Sequence, residues 1–498
     1  MAHRCIEGQC AVSPHPDLLA RQHAALRNVQ GTAEEAAVRE HINSLILGDR
    51  TGRIPGLNDG TIFPKSHFDE NASISSMSRA ALERAPLRGA VNVVLVLMDF
   101  QDVKMASGAK ERFEELFFSE GKVSTGSVTE YYREVSNGKI SLAGEVLGPF
   151  TLSHDKAYYA NGNAGRSSPE PNSVTMAEEA VIAVTGKADF NKYDNDGNGM
   201  IDAFIVVHAG TGAEQSGDLN DIWSVKWTLN QPRQLNDVNA YGFLTIPEDA
   251  KIGVCSHEIG HLLFGWPDLY DTDGSSTGVG NWCLMSYGSW GGNGDRPVHP
   301  SAWCKATQGW IDVVNETENH QVTLADVKSG FKAHRLWRDG DAQSTEYFLV
   351  ENRARAGFDE SLPGAGLLVW HIDDAVDSNA DENHPKVGLV QADGLDQLRE
   401  GGYYGDAGDP FPGTVNNTTF NGTSNPSSKA YSGADTNVSI TGIPAASASM
   451  ALDVAVKAAG LPSDDNKSCF DLQAWYQLGN MLVGSCARPR RTLGRRFG

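Results

Sequence analysis

The stretch "CSHEIGHLLFGWPDLYD" occupies positions 255–271 and sets His257, Glu258 and His261 within five residues. On a helix the two histidines stand one turn apart on one face with Glu258 beside them, the arrangement by which a helix grips a catalytic zinc ion. The surrounding apolar run predicts a helix from about Pro247 to Phe264, with Gly265 as its C-terminal stop and Pro267 preventing its resumption. That turn swings the chain back toward the metal. Two histidines leave a zinc site incomplete, because a third protein ligand is usual and the fourth position stays open. Asp268 and Asp271 are the nearest carboxylates. Gly260 inside the helix costs about 1 kcal/mol relative to Ala, which implies a close backbone neighbour on that face.

The rest of the chain sets the context. Its 498 residues suffice for two or three domains, and 40% hydrophobic with 8% aromatic content is ordinary for a globular protein. A formal net charge of -22 argues against a general nucleic-acid binder, which needs clustered Lys and Arg for phosphate contacts. No apolar run approaches membrane-spanning length, and the longest candidate, "AVNVVLVLMDF" (90–100), is strand-like in its β-branched content. The start "MAHRCIEGQCAVSPHPDLL" lacks a basic region followed by an apolar one, so the sequence alone gives no secretory signal. Of seven cysteines, Cys5 with Cys10 and Cys469 with Cys486 are candidate local bridges, and Cys255, Cys283 and Cys304 read as buried thiols. Oligomeric state is not legible.

Composition divides the chain into four parts. Residues 1–88 are helical in spacing, with "TAEE" resembling a capping box, and form a candidate pro-segment. A mixed body of strands and helices spans 89–318, where "VNVVLVLMDF" and "MIDAFIVVHAG" read as buried strands and Asn137-Gly138 stops a helix. Short strands between Gly and Pro turns predict a β-rich domain over 319–460, and 461–498 is a tail. The fold class expected is α+β.

"HEIGHLLFGWPDLYD" and "WCLMSYGSWGG" (282–292) resemble the immune inhibitor A-like metallopeptidases, a metzincin-related family. The likeness extends through "DNDGNGMIDAFIVVHAG", "DIWSVKW", "EYFLVENRARAGFDESLPGAGLLVWHID" and "HPKVGLVQADG", roughly residues 91–455. It implies a metzincin-like zinc endopeptidase acting on proteins or peptides, and a secreted one. His257 and His261 would be ligands, Glu258 the general base and then general acid, and Met285 the apolar turn beneath the metal, a thioether being a poor zinc ligand. Tyr287 resembles the tyrosine that stabilises the oxyanion in several metzincins. One departure matters: the clan has two residues between the second His and the Gly, whereas Leu262, Leu263 and Phe264 make three here. Asp268 remains the expected third ligand, with Asp271 the alternative.

Two further expectations concern cations and latency. "DNDGNGMID" (194–202) spaces Asp194, Asp196, Asn198 and Asp202 like the oxygen ligands of a calcium loop, although a strand follows and Ile205 stands where an EF-hand carries its closing Glu. In "PGLNDG" (55–60), Asp59 is a candidate for the open zinc position, with the Cys10 thiolate as the alternative. The competing reading of the whole is a catalytically silent, metal-stabilised module that binds proteins or glycans. Glu258 separates the two, since a silent site has no use for a carboxylate beside the metal.

Overall fold

Among the described residues three α-helices precede the first strand: α1 (Pro16–Val29), α2 (Glu35–Leu47) and α3 (Ile74–Glu83). Pro16 opens α1 with its φ already set, and Ser73 caps α3 by accepting the Ser76 N–H at 3.1 Å. This computed structural model describes residues 12–47 and 56–458. Cys5, Cys10, Cys469, Cys486 and the tail at 461–498 lie outside the described residues, so neither the candidate bridges nor a Cys10 ligand has a structural counterpart here.

The run Val91–Met98 is the middle of β1 (Gly89–Asp99), flanked on both sides by parallel strands, β2 (Ile140–Thr151) and β3 (Phe204–His208). A strand covered on both faces needs apolar residues at every position rather than at alternate ones, and Val93 to Leu97 are fully buried. The sheet continues through β5 (Val238–Pro247) to an antiparallel edge strand, β4 (Val225–Leu235), in the order β2-β1-β3-β5-β4. Helices α4 (Ala109–Phe118), α5 (Val128–Val135) and α6 (Ser173–Val184) pack against it. As the sequence implies, α5 ends where Asn137 and Gly138 take positive φ.

The helix carrying the histidines is α7 (Ile252–Phe264). It begins five residues later than the apolar spacing predicts because Pro247 belongs to the ladder, paired with His208. Its end matches expectation. Gly265 sits at φ 66°, and the N–H groups of Gly265 and Trp266 donate to the carbonyls of His261 (3.0 Å) and Gly260 (3.2 Å).

After α8 (Ala302–Thr307) come two more sheets. β6 (Asp312–Asn315), β8 (Lys332–Leu336), β9 (Glu346–Arg353), β10 (Gly366–Asp373) and β11 (Val387–Val390) form one. The other comprises β7 (His320–Ala325), β12 (Thr419–Phe420), β13 (Ser439–Thr441) and β14 (Ser449–Ala455). They enclose a second apolar core that includes Phe348, Val369, Phe411 and Leu452. The fold class is α+β. Buried charges tie the second sheet to the body above it. Lys305 of α8 pairs with Glu351 at 2.8 Å, and Arg353, held by Asp359, also donates to the Trp282 carbonyl at 3.2 Å. Among the described residues no helix is long and apolar enough to cross a membrane.

Candidate active site and metal centre

His257 and His261 lie one turn apart on α7 with their ring centroids 4.8 Å apart and nearly perpendicular. Gly265 turns the chain so that Asp268 returns to both. Its Oδ1 stands 3.0 Å from His257 Nε2 and 3.3 Å from His261 Nε2, and the two Nε2 atoms are 3.1 Å apart. Each ring's Nδ1 meets a backbone carbonyl, that of Leu284 at 3.0 Å and that of Trp266 at 2.6 Å. Donation there leaves the Nε2 lone pairs facing the centre, as metal-ligating histidines require.

This donor set fits zinc. Tetrahedral bonds of 2.0–2.1 Å place neighbouring ligand atoms about 3.3 Å apart, close to the separations observed. The three residues are fully buried, and neither Asp268 oxygen finds a hydrogen bond among the described residues. A buried carboxylate without donors is costly unless a cation answers it. Burial opposes the charged form of His257, but the Asp268 carboxylate beside it outweighs burial and raises its pKa. At His261 burial dominates and lowers it.

Glu258 is fully buried, and its oxygens likewise lack a hydrogen bond among the described residues. Burial pushes its pKa up to about 8 against the opposing pull of His257. The backbone N–H of Val12 approaches this carboxylate and favours its charged form. Val12 belongs to a strap that crosses the site. Its N–H reaches the Ser224 carbonyl (3.4 Å), Trp223 Nε1 donates to the Val12 carbonyl (2.9 Å), and Trp290 Nε1 donates to the Ser13 carbonyl (2.8 Å). His15 lies edge-on to Trp290 at 4.6 Å and hydrogen-bonds Asn293 at 2.5 Å. Glu214, whose pKa burial raises to about 7, accepts the Ser224 N–H and hydroxyl from beneath.

Met285 lies under the site, its carbonyl accepting the Leu269 N–H at 2.7 Å and so fastening the Asp268 segment to the turn. The close neighbour expected of Gly260 is this methionine's side chain, not backbone. Tyr287 packs between Tyr270 and Tyr404 at 6.0 and 4.6 Å. Burial, the Tyr404 phenol group and the charges of Asp271 and Asp268 raise its pKa. Asp271 does not join the histidines. It accepts from Asp273 N–H (3.0 Å), the Ser275 hydroxyl (2.8 Å) and Ser276 N–H (2.8 Å), which makes it a loop cap.

Asp59 does not face the metal either. Its carboxylate accepts the Gly56 and Thr61 N–H groups at 2.9 and 2.8 Å and pairs with buried Lys226 at 3.7 Å. At the 194–202 loop, Asp194, Asp196 and Asp202 converge. Asp194 is occupied by the N–H groups of Asn198 and Gly199, and Asn198 spends its carbonyl oxygen on Met200 N–H. Arg84, the C-cap of α3, answers the remaining charge, 3.4 Å from Asp196 and 3.1 Å from Asp202. The expected calcium draws no support from this arrangement.

The strap and Lys226 escaped sequence reading. Pairing across more than 160 residues leaves no local periodicity. A Lys inside the apolar "IWSVKW" was the one available signal, since buried lysines need partners.

Comparison with known proteins agrees with this geometry. Residues 98–313 match the model of the immune inhibitor A peptidase M6 catalytic domain. The chain is 32% identical over 234 residues to the pre-pro-metalloprotease PrtV of Vibrio cholerae, covering 39% of this chain and 25% of that protein. It is 31% identical over 222 residues to immune inhibitor A of Bacillus thuringiensis subsp. alesti, covering 37% of this chain and 32% of that protein. The matched part thus spans about a quarter to a third of the length of these relatives. The histidine pair, its adjacent carboxylate and Met285 all lie inside the segment that matches the catalytic domain of the immune inhibitor A family of metalloproteases.

Proposed function

We propose that this protein is a metzincin-like zinc endopeptidase whose catalytic domain spans 89–318, followed by a β-rich domain over 319–460 and covered by an N-terminal pro-segment ending near residue 88. The observation that carries the reading is the Glu258 carboxylate, buried beside the triangle of His257, His261 and Asp268 and left without a hydrogen bond among the described residues. Zinc held by those three residues supplies Lewis acidity toward a peptide carbonyl and toward the attacking water. Glu258 takes the proton from that water and passes it to the leaving amine nitrogen. Tyr287 donates its hydroxyl hydrogen to the carbonyl oxygen as charge gathers there.

Latency follows from the strap. Ser224, just before β4, and Lys226 within it present backbone groups that are both taken by the N-terminal segment: Val12 on the Ser224 carbonyl, and Asn58 on the Lys226 carbonyl at 2.6 Å. An extended substrate requires the edge of that strand. The strap brings the Val12 N–H toward Glu258, the residue that must reach the attacking water. A protein substrate and secretion accord with the family resemblance and with the words "pre-pro" in the Vibrio relative's name.

The test uses the full chain loaded with zinc, before and after limited proteolysis between residues 12 and 88. One zinc per chain, chelator-sensitive cleavage of a denatured protein, and activity that rises on cutting support the reading. A chain that binds zinc yet cleaves nothing after cutting is instead the silent binding module.

A further inference from the structure

Lys226 is a fully buried lysine on an edge strand, and groups from the N-terminal segment enclose it. Its ammonium donates to the Thr61 carbonyl and, at 3.3 Å, to the Gly56 carbonyl, with the Asp59 carboxylate 3.7 Å away. Its main chain is held by the same stretch, since Asn58 bonds both its N–H and its carbonyl. Asp59 is itself pinned by the Gly56 and Thr61 N–H groups, and burial of the pair is outweighed by the Lys226 charge and these bonds, which keep the carboxyl low.

The face on which the side chain lies follows from register. Lys226 pairs with Leu244 and Thr228 with Gly242, so these four share one face of the sheet. A Cβ on Gly242 would stand 3.1 Å from Leu262 of α7, so that face looks toward the helix bearing the metal ligands. Gly60 fills the remaining gap, where a Cβ would meet the Gly265 carbonyl at 2.7 Å. The segment 56–61 therefore occupies a slot between the substrate edge and the end of α7, and it places a carboxylate on Lys226 there.

We infer that, once the N-terminal segment leaves, Lys226 selects substrates carrying an Asp or Glu side chain at one fixed position near the scissile bond, with Asp59 marking in the covered enzyme where that carboxylate sits. The inference rests on the proposed endopeptidase reading and on departure of the segment. Departure of the segment takes a carboxylate and two carbonyls away from the buried ammonium, and loss of a buried ion pair's partner is costly. A substrate carboxylate restores the pair and also makes a charge-assisted hydrogen bond. A neutral amide of the same shape restores neither charge.

The experiment takes the full chain, zinc-loaded and opened by limited proteolysis, and maps its cuts in a proteome-derived peptide library by mass spectrometry. Asp and Glu should be enriched at a single position relative to the cut. A matched peptide pair differing only by Glu or Gln there should differ in kcat/KM by about tenfold or more, as loss of a charged hydrogen bond predicts. In Lys226→Met that ratio should collapse toward one, and in Lys226→Glu the preference should move to Lys or Arg. Wild-type cleavage of the two peptides at equal rates overturns the inference without any variant, while leaving the endopeptidase reading standing. Discrimination that survives in Lys226→Met overturns it too. Absence of all cleavage removes the reading beneath it and the inference with it.

Discussion

Met285 and Gly260 are in direct contact: a Cβ built on the glycine would stand 2.6 Å from Met285 Sδ and 3.1 Å from the Trp266 ring. The missing side chain lets the methionine turn close against the helix that carries the histidines. Gly260→Ala gains about 1 kcal/mol in helix propensity but loses roughly 1–3 kcal/mol through overpacking. The thioether can yield, so a small net loss is expected. At Gly253 the obstacle is backbone, the Ser289 carbonyl oxygen lying 1.9 Å from the would-be Cβ. Thermal melts should therefore rank Gly253→Ala well below Gly260→Ala, and the reverse order would contradict this packing.

Asp268 and Asp271 make opposite predictions. Asp268→Ala removes one corner of the donor triangle, and zinc content measured by elemental analysis should fall sharply. Asp271→Ala frees two N–H groups and a hydroxyl in the 273–276 loop and should cost about 1 kcal/mol in stability with zinc retained. Full zinc in Asp268→Ala with loss in Asp271→Ala would make Asp271 the ligand.

His208 gives a stability prediction in pH. It is fully buried, its Nε2 has no hydrogen-bond partner among the described residues, and burial lowers its pKa to about 4. The unfolded imidazole titrates near 6.5, so between those values the unfolded chain binds more protons than the folded one. Stability is full above about pH 6.5 and falls by roughly 3 kcal/mol as the pH drops to 4. His208→Gln should lose less between pH 7 and pH 4 in urea titrations, whatever its stability at pH 7. Identical acid losses in both proteins would refute a neutral buried His208.

What the sequence revealed, it revealed locally. The spacing of His257, Glu258 and His261, the stop at Gly265 and the turn at Met285 each lie within a few residues, so helix period and turn chemistry sufficed. The extra residue before Gly265 left two aspartates open, and only the path of the chain after α7 separates them. Asp59 is a candidate for the open zinc position from its sequence alone, but a buried Lys226 more than 160 residues away claims it. The calcium loop had suitable spacing, but Arg84 from a different segment supplies the positive charge. In each of these cases the deciding partner is distant in sequence and invisible to periodicity.

Glu258 carries the central claim. Glu258→Gln preserves size and leaves His257, His261 and Asp268 untouched, but it cannot accept a proton. General acid–base assistance is worth about 10² to 10⁴ in rate. The measurement is peptide cleavage by the zinc-loaded, segment-cleaved protein, with zinc content and melting temperature recorded alongside. The account predicts zinc and melting temperature near wild type and cleavage reduced at least a hundredfold. A Glu258→Gln protein that retains zinc and cleaves as fast as wild type would contradict it.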